Sequence, residues 1–70
     1  MEIKPGKYRH FKGNHYEVIG VARHSETMEP MVVYRALYGE GGLWVRPAAM
    51  WTEMVDRDGY HGPRFQYVGE

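Results

Sequence analysis

Glycine-marked turns divide this chain into short segments rich in valine, isoleucine, tyrosine and tryptophan. No stretch of ten or more residues keeps a helical period. Short segments of this composition, separated by turns at close spacing, are typical of antiparallel strands joined by hairpins. The turn signals are Gly13-Asn14, residues 39–42, Asp58-Gly59 and Gly62-Pro63. We therefore predict an all-β fold.

The first hairpin is predicted from the two-residue turn signal Gly13-Asn14, which follows Lys7–Lys12 and precedes His15–Arg23. Both flanking segments carry the β-branched and aromatic residues that favour strands. A tight turn at this position places Phe11 opposite Tyr16.

A second hairpin is predicted from Met31–Tyr38 and Leu43–Arg46, with the chain turning at Glu40-Gly41. This register places Ala36 opposite Val45. It also divides the side chains of both strands between two faces, because successive residues of a strand point to opposite sides of the sheet.

The remaining segments predict a loop, one helical turn and a closing strand. The polar stretch His24–Pro30 ends in a proline that cannot donate to a strand ladder, so we expect a loop. Pro47–Trp51 is long enough for one turn of 3₁₀ type. Phe65–Val68 is the expected closing strand, and the path of residues 52–64 is left open.

Five or six short antiparallel strands with one 3₁₀ turn predict a small SH3-like barrel, since near-closure removes exposed strand edges. An open meander packed on a second copy is the alternative. At 70 residues the chain is expected to form a single domain over residues 1–70, with an ordered core over residues 6–68.

Composition excludes several classes of function. The chain has no cysteine, which removes disulfides, thiolate zinc sites and thiol nucleophiles. Nine basic and nine acidic residues cancel, so the broad positive field of many nucleic-acid binders is absent. The sequence has neither the apolar stretch of a signal peptide nor a membrane-length apolar run, and we expect a cytoplasmic protein with no membrane partner.

The predicted second hairpin places Arg35 opposite Arg46, with Trp44 on the same face. Two like charges across a ladder repel, so a carboxylate or a bound anion is expected between them. Together with Tyr34 and Arg23, these residues form the candidate ligand-binding site. The alternative is that one of three glutamates neutralises the arginines and the cluster is structural: Glu17, Glu26 or Glu53.

The histidines allow a catalytic alternative. In the predicted first hairpin His10 and His15 are diagonal neighbours, and with Glu17 they could bind zinc in a hydrolytic site. A simple pairing of His10 with Glu17 explains the same spacing without a metal. The polar stretch 23–26 carries a nucleophile, a base and a carboxylate, but adjacent loop residues rarely converge as a catalytic triad. We therefore expect no metal and no cofactor, and catalysis is the less favoured interpretation.

Several uncommon short motifs occur in order along nearly the whole chain: residues 6–10, 12–14, 16–18, 22–27, 32–38 and 43–47. In these motifs the chain resembles the bacterial domain-of-unknown-function family 1653. The resemblance implies a short bacterial protein or a small appended domain, and it implies very little about function.

Three functions remain as hypotheses. The leading one is a non-catalytic module that binds an acidic small molecule, a peptide or a nucleic-acid segment. The second is a small hydrolase that uses a metal or one of the histidines. The third is a structural or assembly role, in which two copies of the chain form a homodimer, because thin cores of this size often depend on a partner.

Overall fold

A computed structural model describes residues 3–69, so the predicted domain limits at residues 1 and 70 lie outside the described part. The all-β prediction is confirmed. Five strands form one antiparallel sheet in the order β4-β3-β2-β1-β7, and β5 and β6 form a separate hairpin. The elements are β1 Gly6–His10, β2 His15–Arg23, β3 Pro30–Ala36, β4 Leu43–Pro47, α1 Ala48–Trp51, β5 Met54–Arg57, β6 Tyr60–Pro63 and β7 Phe65–Gly69.

The predicted register of the first hairpin is wrong. Tyr16 lies opposite Tyr8 and not opposite Phe11. The turn begins earlier than the glycine suggested, because the Gly13 amide donates to the His10 carbonyl at 2.7 Å and the His10 amide donates to the Asn14 carbonyl at 2.8 Å. Phe11 is therefore a turn residue, and the strands pair three residues away from the predicted register.

The second hairpin differs from its prediction in the same way. Val45 lies opposite Val33 and not opposite Ala36. The Ala36 amide donates to the Gly42 carbonyl at 3.1 Å, which includes Leu37 and Tyr38 in the connection instead of the strand. Each hairpin thus has a longer connection than the two-residue turn that its glycines suggested.

The loop and the helical turn lie where the sequence placed them. The loop after β2 is closed by the His24 amide, which donates to the Glu29 carbonyl at 2.8 Å, and β3 begins at Pro30. In α1 the Thr52 amide donates to the Ala48 carbonyl at 3.3 Å, an α-type hydrogen bond where a 3₁₀ turn was expected. Between residues 3 and 69 the structure contains no helix of the length and apolarity needed to cross a membrane.

The open segment after α1 forms the hairpin of β5 and β6. Its two turn residues, Asp58 and Gly59, both have positive φ, at 55° and 79°. Positive φ at both central positions is the requirement of the tight hairpin turns for which Asp-Gly is favoured. Within this hairpin Val55 is buried and lies opposite Gly62.

Aromatic side chains form most of the core on one face of the five-stranded sheet. The core cluster comprises Tyr8, Val18, Val32, Tyr34, Ala48, Trp51 and Phe65. A flat sheet would separate its edge strands β4 and β7 by about 19 Å, yet Arg46 of β4 lies over the ring of Phe65 in β7 at 5.5 Å. The sheet is therefore curled. The SH3-like barrel is not confirmed, because no hydrogen-bonded ladder joins β4 to β7 among the described residues.

Candidate functional site

The predicted juxtaposition of Arg35 and Arg46 is wrong. Arg46 lies opposite Val32 and Arg35 lies opposite Leu43. Because Val32 is a core residue, Arg46 is on the core face of the sheet and Arg35 is on the other face. No like-charge repulsion across the ladder therefore exists to call for an anion between the two arginines.

The structure keeps only part of the predicted site together. Trp44 pairs with the buried Tyr34, so both lie on the same face as Arg46. Arg23 lies at the end of β2, where it pairs with Pro30. Its guanidinium donates to the Met28 carbonyl at 3.2 Å, and Arg23 is one of the residues that line a cavity of about 350 Å³.

Arg46 is part of a larger group of side chains that the sequence did not bring together. We call this group the cationic-aromatic cluster. It combines the C-terminal end of β1 and the following turn with residues of β4, the β5–β6 hairpin and the start of β7. Its members are His10, Phe11, Lys12, Arg46, Arg57, Tyr60, Arg64 and Phe65.

The aromatic members of the cluster form a continuous series of ring contacts. The His10 imidazole lies 4.6 Å from the ring centroid of Phe11 and 4.9 Å from that of Phe65. Phe11 in turn stacks on Tyr60 at 5.6 Å. Placing Phe11 in the turn, instead of in β1, is what allows its ring to reach the β5–β6 hairpin.

Cations lie over these rings. The Arg46 guanidinium is 5.5 Å from the Phe65 centroid. Arg57 and Lys12 are 5.6 Å and 5.9 Å from the centroid of Phe11. A cation over an aromatic face is attracted by the ring quadrupole, by about 0.5–1 kcal/mol at exposed sites. The rings therefore help to hold positive side chains that would otherwise repel one another.

The charges converge on His10. Burial lowers the pKa of the His10 imidazole below its ordinary value, and four nearby cations lower the same pKa further: Arg64, Arg46, Lys12 and Arg57. The turn requires the neutral imidazole, because the His10 Nδ1 accepts a hydrogen bond from the Lys12 amide at 3.1 Å. A bound anion would offset the repulsion that these groups exert on a protonated His10.

Carboxylates compensate the cluster incompletely. Arg64 donates to Glu53 at 3.2 Å. Within residues 3–69, Lys12, Arg46 and Arg57 have no carboxylate within ion-pair distance. The Arg64 Nε–H is buried and has no hydrogen-bond partner among the same residues. The cluster therefore presents three cations with no carboxylate partner and one donor with no acceptor.

The predicted register that made His10 and His15 diagonal neighbours, on which the less favoured zinc alternative depended, is wrong. His15 pairs with Arg9 on the outer face, whereas His10 is the next residue of β1 and points to the core face. The part of the chain that the structure describes contains no group of three side chains placed to hold a metal ion. His24 has a local role, because its Nδ1 accepts the Glu26 amide at 3.1 Å and orders the loop.

Most members of the cluster could not be identified from the sequence, because Lys12, Arg57 and Arg64 lie in or beside separate turns. The available signal was the basic residue adjoining each turn, Lys12 beside Gly13 and Arg57 beside Asp58. That signal alone does not show that the turns meet.

Comparisons with known proteins agree with one another. A family model described as "Protein of unknown function (DUF1653)" matches residues 6–67. A crystal structure of a DUF1653 protein from Bordetella bronchiseptica is 46% identical, with a TM-score of 0.90, and the match covers 97% of this chain and 90% of that one. No curated protein matches the chain. The chain belongs to the DUF1653 family of proteins of unknown function.

Proposed function

We propose that this chain is a non-catalytic binding module for an anionic ligand, and that the ligand binds at the cationic-aromatic cluster. The observation that carries the proposal is the convergence of Arg46, Arg57 and Lys12 around His10, with no carboxylate partner for these three cations among residues 3–69. Cations gathered in this way repel one another, and an anion between them removes that cost.

The chemistry of the cluster suits phosphate or carboxylate groups. A guanidinium presents several N–H donors in one plane and can bind either group through two parallel hydrogen bonds. Arg46 is half-buried and held against Phe65, which reduces the side-chain entropy lost on binding. The Lys12 ammonium is exposed and adds a flexible point charge.

The candidate residues predicted from the sequence differ in whether they can contact the proposed ligand. Arg46 is the primary contact, and Trp44 and Tyr34 flank it on the same face of the sheet. Arg35 lies on the opposite face and Arg23 at a strand end that pairs with Pro30, so the proposed ligand does not contact them.

The test is a titration of the protein with inorganic phosphate, in which the NMR resonances of the His10 ring are monitored. The anion should raise the pKa of His10, because it stabilises the imidazolium that the four cations disfavour. Arg46→Gln should weaken phosphate binding severalfold. Arg35→Gln is the matched control, since it removes the same charge from the other face and should leave binding unchanged.

The proposal is wrong if the His10 resonances and the His10 pKa do not respond to phosphate. It is also wrong if Arg35→Gln and Arg46→Gln weaken the response equally, because the effect would then come from net charge and not from the cluster.

A further inference from the structure

The two tryptophans of the chain have opposite environments. The Trp51 side chain is 2% exposed in the core, whereas Trp44 is 60% exposed on edge strand β4. Leaving a ring of this size in water forgoes the large favourable free energy of burying it. Exposed aromatic rings beside charged groups are a feature of binding surfaces.

Trp44 lies next to the cationic-aromatic cluster. It is two residues before Arg46 on the same face of β4, which places the two backbone positions about 7 Å apart. Beneath this side of the sheet the buried Phe65 and the half-buried His10 connect Arg46 to Phe11, over which Arg57 and Lys12 lie. The exposed Trp44 ring therefore lies at one end of the cationic-aromatic cluster as an open stacking platform, and Arg46, Arg57 and Lys12 supply the positive charges beside it.

We propose that this surface binds single-stranded nucleic acid, with a base stacked on Trp44 and neighbouring phosphates held by Arg46, Lys12 and Arg57. The inference rests on the proposed function and names its ligand class. Proteins that bind single strands combine exposed aromatic rings with cations that follow the backbone. A single strand repeats both groups that this surface accommodates, a planar base and a phosphate.

Two other anionic macromolecules fit the surface less well. An acidic peptide would use the cations and leave Trp44 without a planar partner. Duplex DNA offers phosphates, but its bases are already stacked and unavailable to an exposed ring. The zero net charge of the chain adds no long-range attraction, so the local contacts must supply the selectivity for single strands.

The test uses a labelled oligothymidine of about ten nucleotides, a length within the site sizes of single-strand binders. Binding is measured by the fluorescence anisotropy of the label. Three cations on phosphates predict a slope of about −2 for log affinity against log salt. Trp44→Ala should weaken binding about fivefold or more, the effect of losing one stacked base. Leu43→Ala is the control, because it removes a similarly exposed neighbour on the opposite face of β4.

Three outcomes distinguish this inference from the proposed function. The inference is supported if the protein binds the single strand more tightly than the matching duplex and polyglutamate, and if Trp44→Ala weakens binding of the single strand. Equal binding of all three polymers, or an unchanged affinity for the single strand in Trp44→Ala, overturns the inference. The proposed function is still supported in that case if the His10 resonances respond to phosphate. If neither phosphate nor the oligonucleotide changes the His10 resonances, both proposals are wrong.

Discussion

Trp51 and Phe65 lie face to face, with ring centroids 3.7 Å apart and ring planes 2° from parallel. Trp51 is the last residue of α1, and Phe65 is the first residue of β7. Both side chains are buried. This contact therefore attaches the single helical turn to one edge of the sheet, while Arg46 of the other edge lies over the same phenylalanine.

Trp51→Ala should unfold the protein. Truncating a buried tryptophan costs about 3–5 kcal/mol, which is about the whole stability expected of a domain this small. Circular dichroism should therefore show no cooperative thermal transition in this variant. Trp44→Ala is the matched control, because its side chain is exposed and its removal should change stability by less than about 0.5 kcal/mol. Equal melting temperatures in both variants would contradict the central position of Trp51.

The lowered pKa of His10 predicts acid sensitivity. Burial and the surrounding cations lower this pKa in the folded state, so the unfolded chain takes up the proton first as pH falls. The free energy of unfolding should be highest above the unfolded pKa of about 6.5. It should decrease as pH falls from there toward the folded pKa of His10, and the decrease from this group should stop below it.

Urea unfolding at a series of pH values tests this dependence. His10→Gln should remove the decrease that begins near pH 6.5, whereas His15→Gln should retain it, because His15 is exposed and lies on the outer face. The same pH dependence in the wild type and in His10→Gln would show that other groups cause it.

The hydroxyl pair of Tyr16 and Tyr38 predicts alkaline sensitivity. Burial, followed by the 2.9 Å hydrogen bond with Tyr38, raises the pKa of Tyr16 to about 12. Stability from this group is complete below the unfolded pKa of about 10 and is lost as pH rises toward the folded value. In a tyrosinate absorbance titration Tyr38→Phe should lower the pKa of Tyr16, whereas Tyr60→Phe should not. An unchanged pKa in Tyr38→Phe would mean that the hydroxyl contact is absent in solution.

The strands were predictable from the sequence because their signals are local. Alternating β-branched and aromatic residues and glycine-marked turns suffice to locate β1 to β4 and β7. The register was not predictable from the same signals, because strand-favouring residues occupy the connections: Phe11 in the first hairpin, Leu37 and Tyr38 in the second. Their side chains favour strands, but the hydrogen bonds of each turn decide where pairing begins. A shift of three residues moves every side chain of one strand to the other face relative to its partner strand.

The candidate site depends on information that no local pattern contains. Arg46 could be identified from its place beside Trp44, although the partner assigned to it was wrong. Lys12, Arg57 and Arg64 meet Arg46 only because the sheet curls and Tyr60 of the β5–β6 hairpin stacks on Phe11 of the first turn. The curled sheet brings Arg46 of β4 over Phe65 of β7, and Trp51 of α1 stacks on the same ring. These contacts join elements that are far apart in the sequence, so they are a property of the whole fold.

Gly6 of β1 lies against β7 with no room for a side chain, and its replacement tests how these strands pair. Its φ is 134°, and a Cβ at this position would lie 2.8 Å from the Gly69 carbonyl oxygen, which belongs to the backbone and cannot easily move away. Gly6→Ala should therefore cost about 1–3 kcal/mol. Gly20 is the matched control, since it has no positive φ and a Cβ there meets nothing within 4 Å.

Urea midpoints of the two alanine variants provide the measurement. Gly20→Ala should leave the midpoint unchanged or raise it slightly, because alanine reduces the entropy of the unfolded chain by about 0.4–1 kcal/mol where the backbone permits it. Gly6→Ala should lower the midpoint, because strain and the clash with Gly69 exceed that gain. If both variants unfold at the wild-type urea concentration, β7 does not approach β1 at Gly6. A different strand pairing would then be needed to place Phe65 and the cationic-aromatic cluster against the sheet.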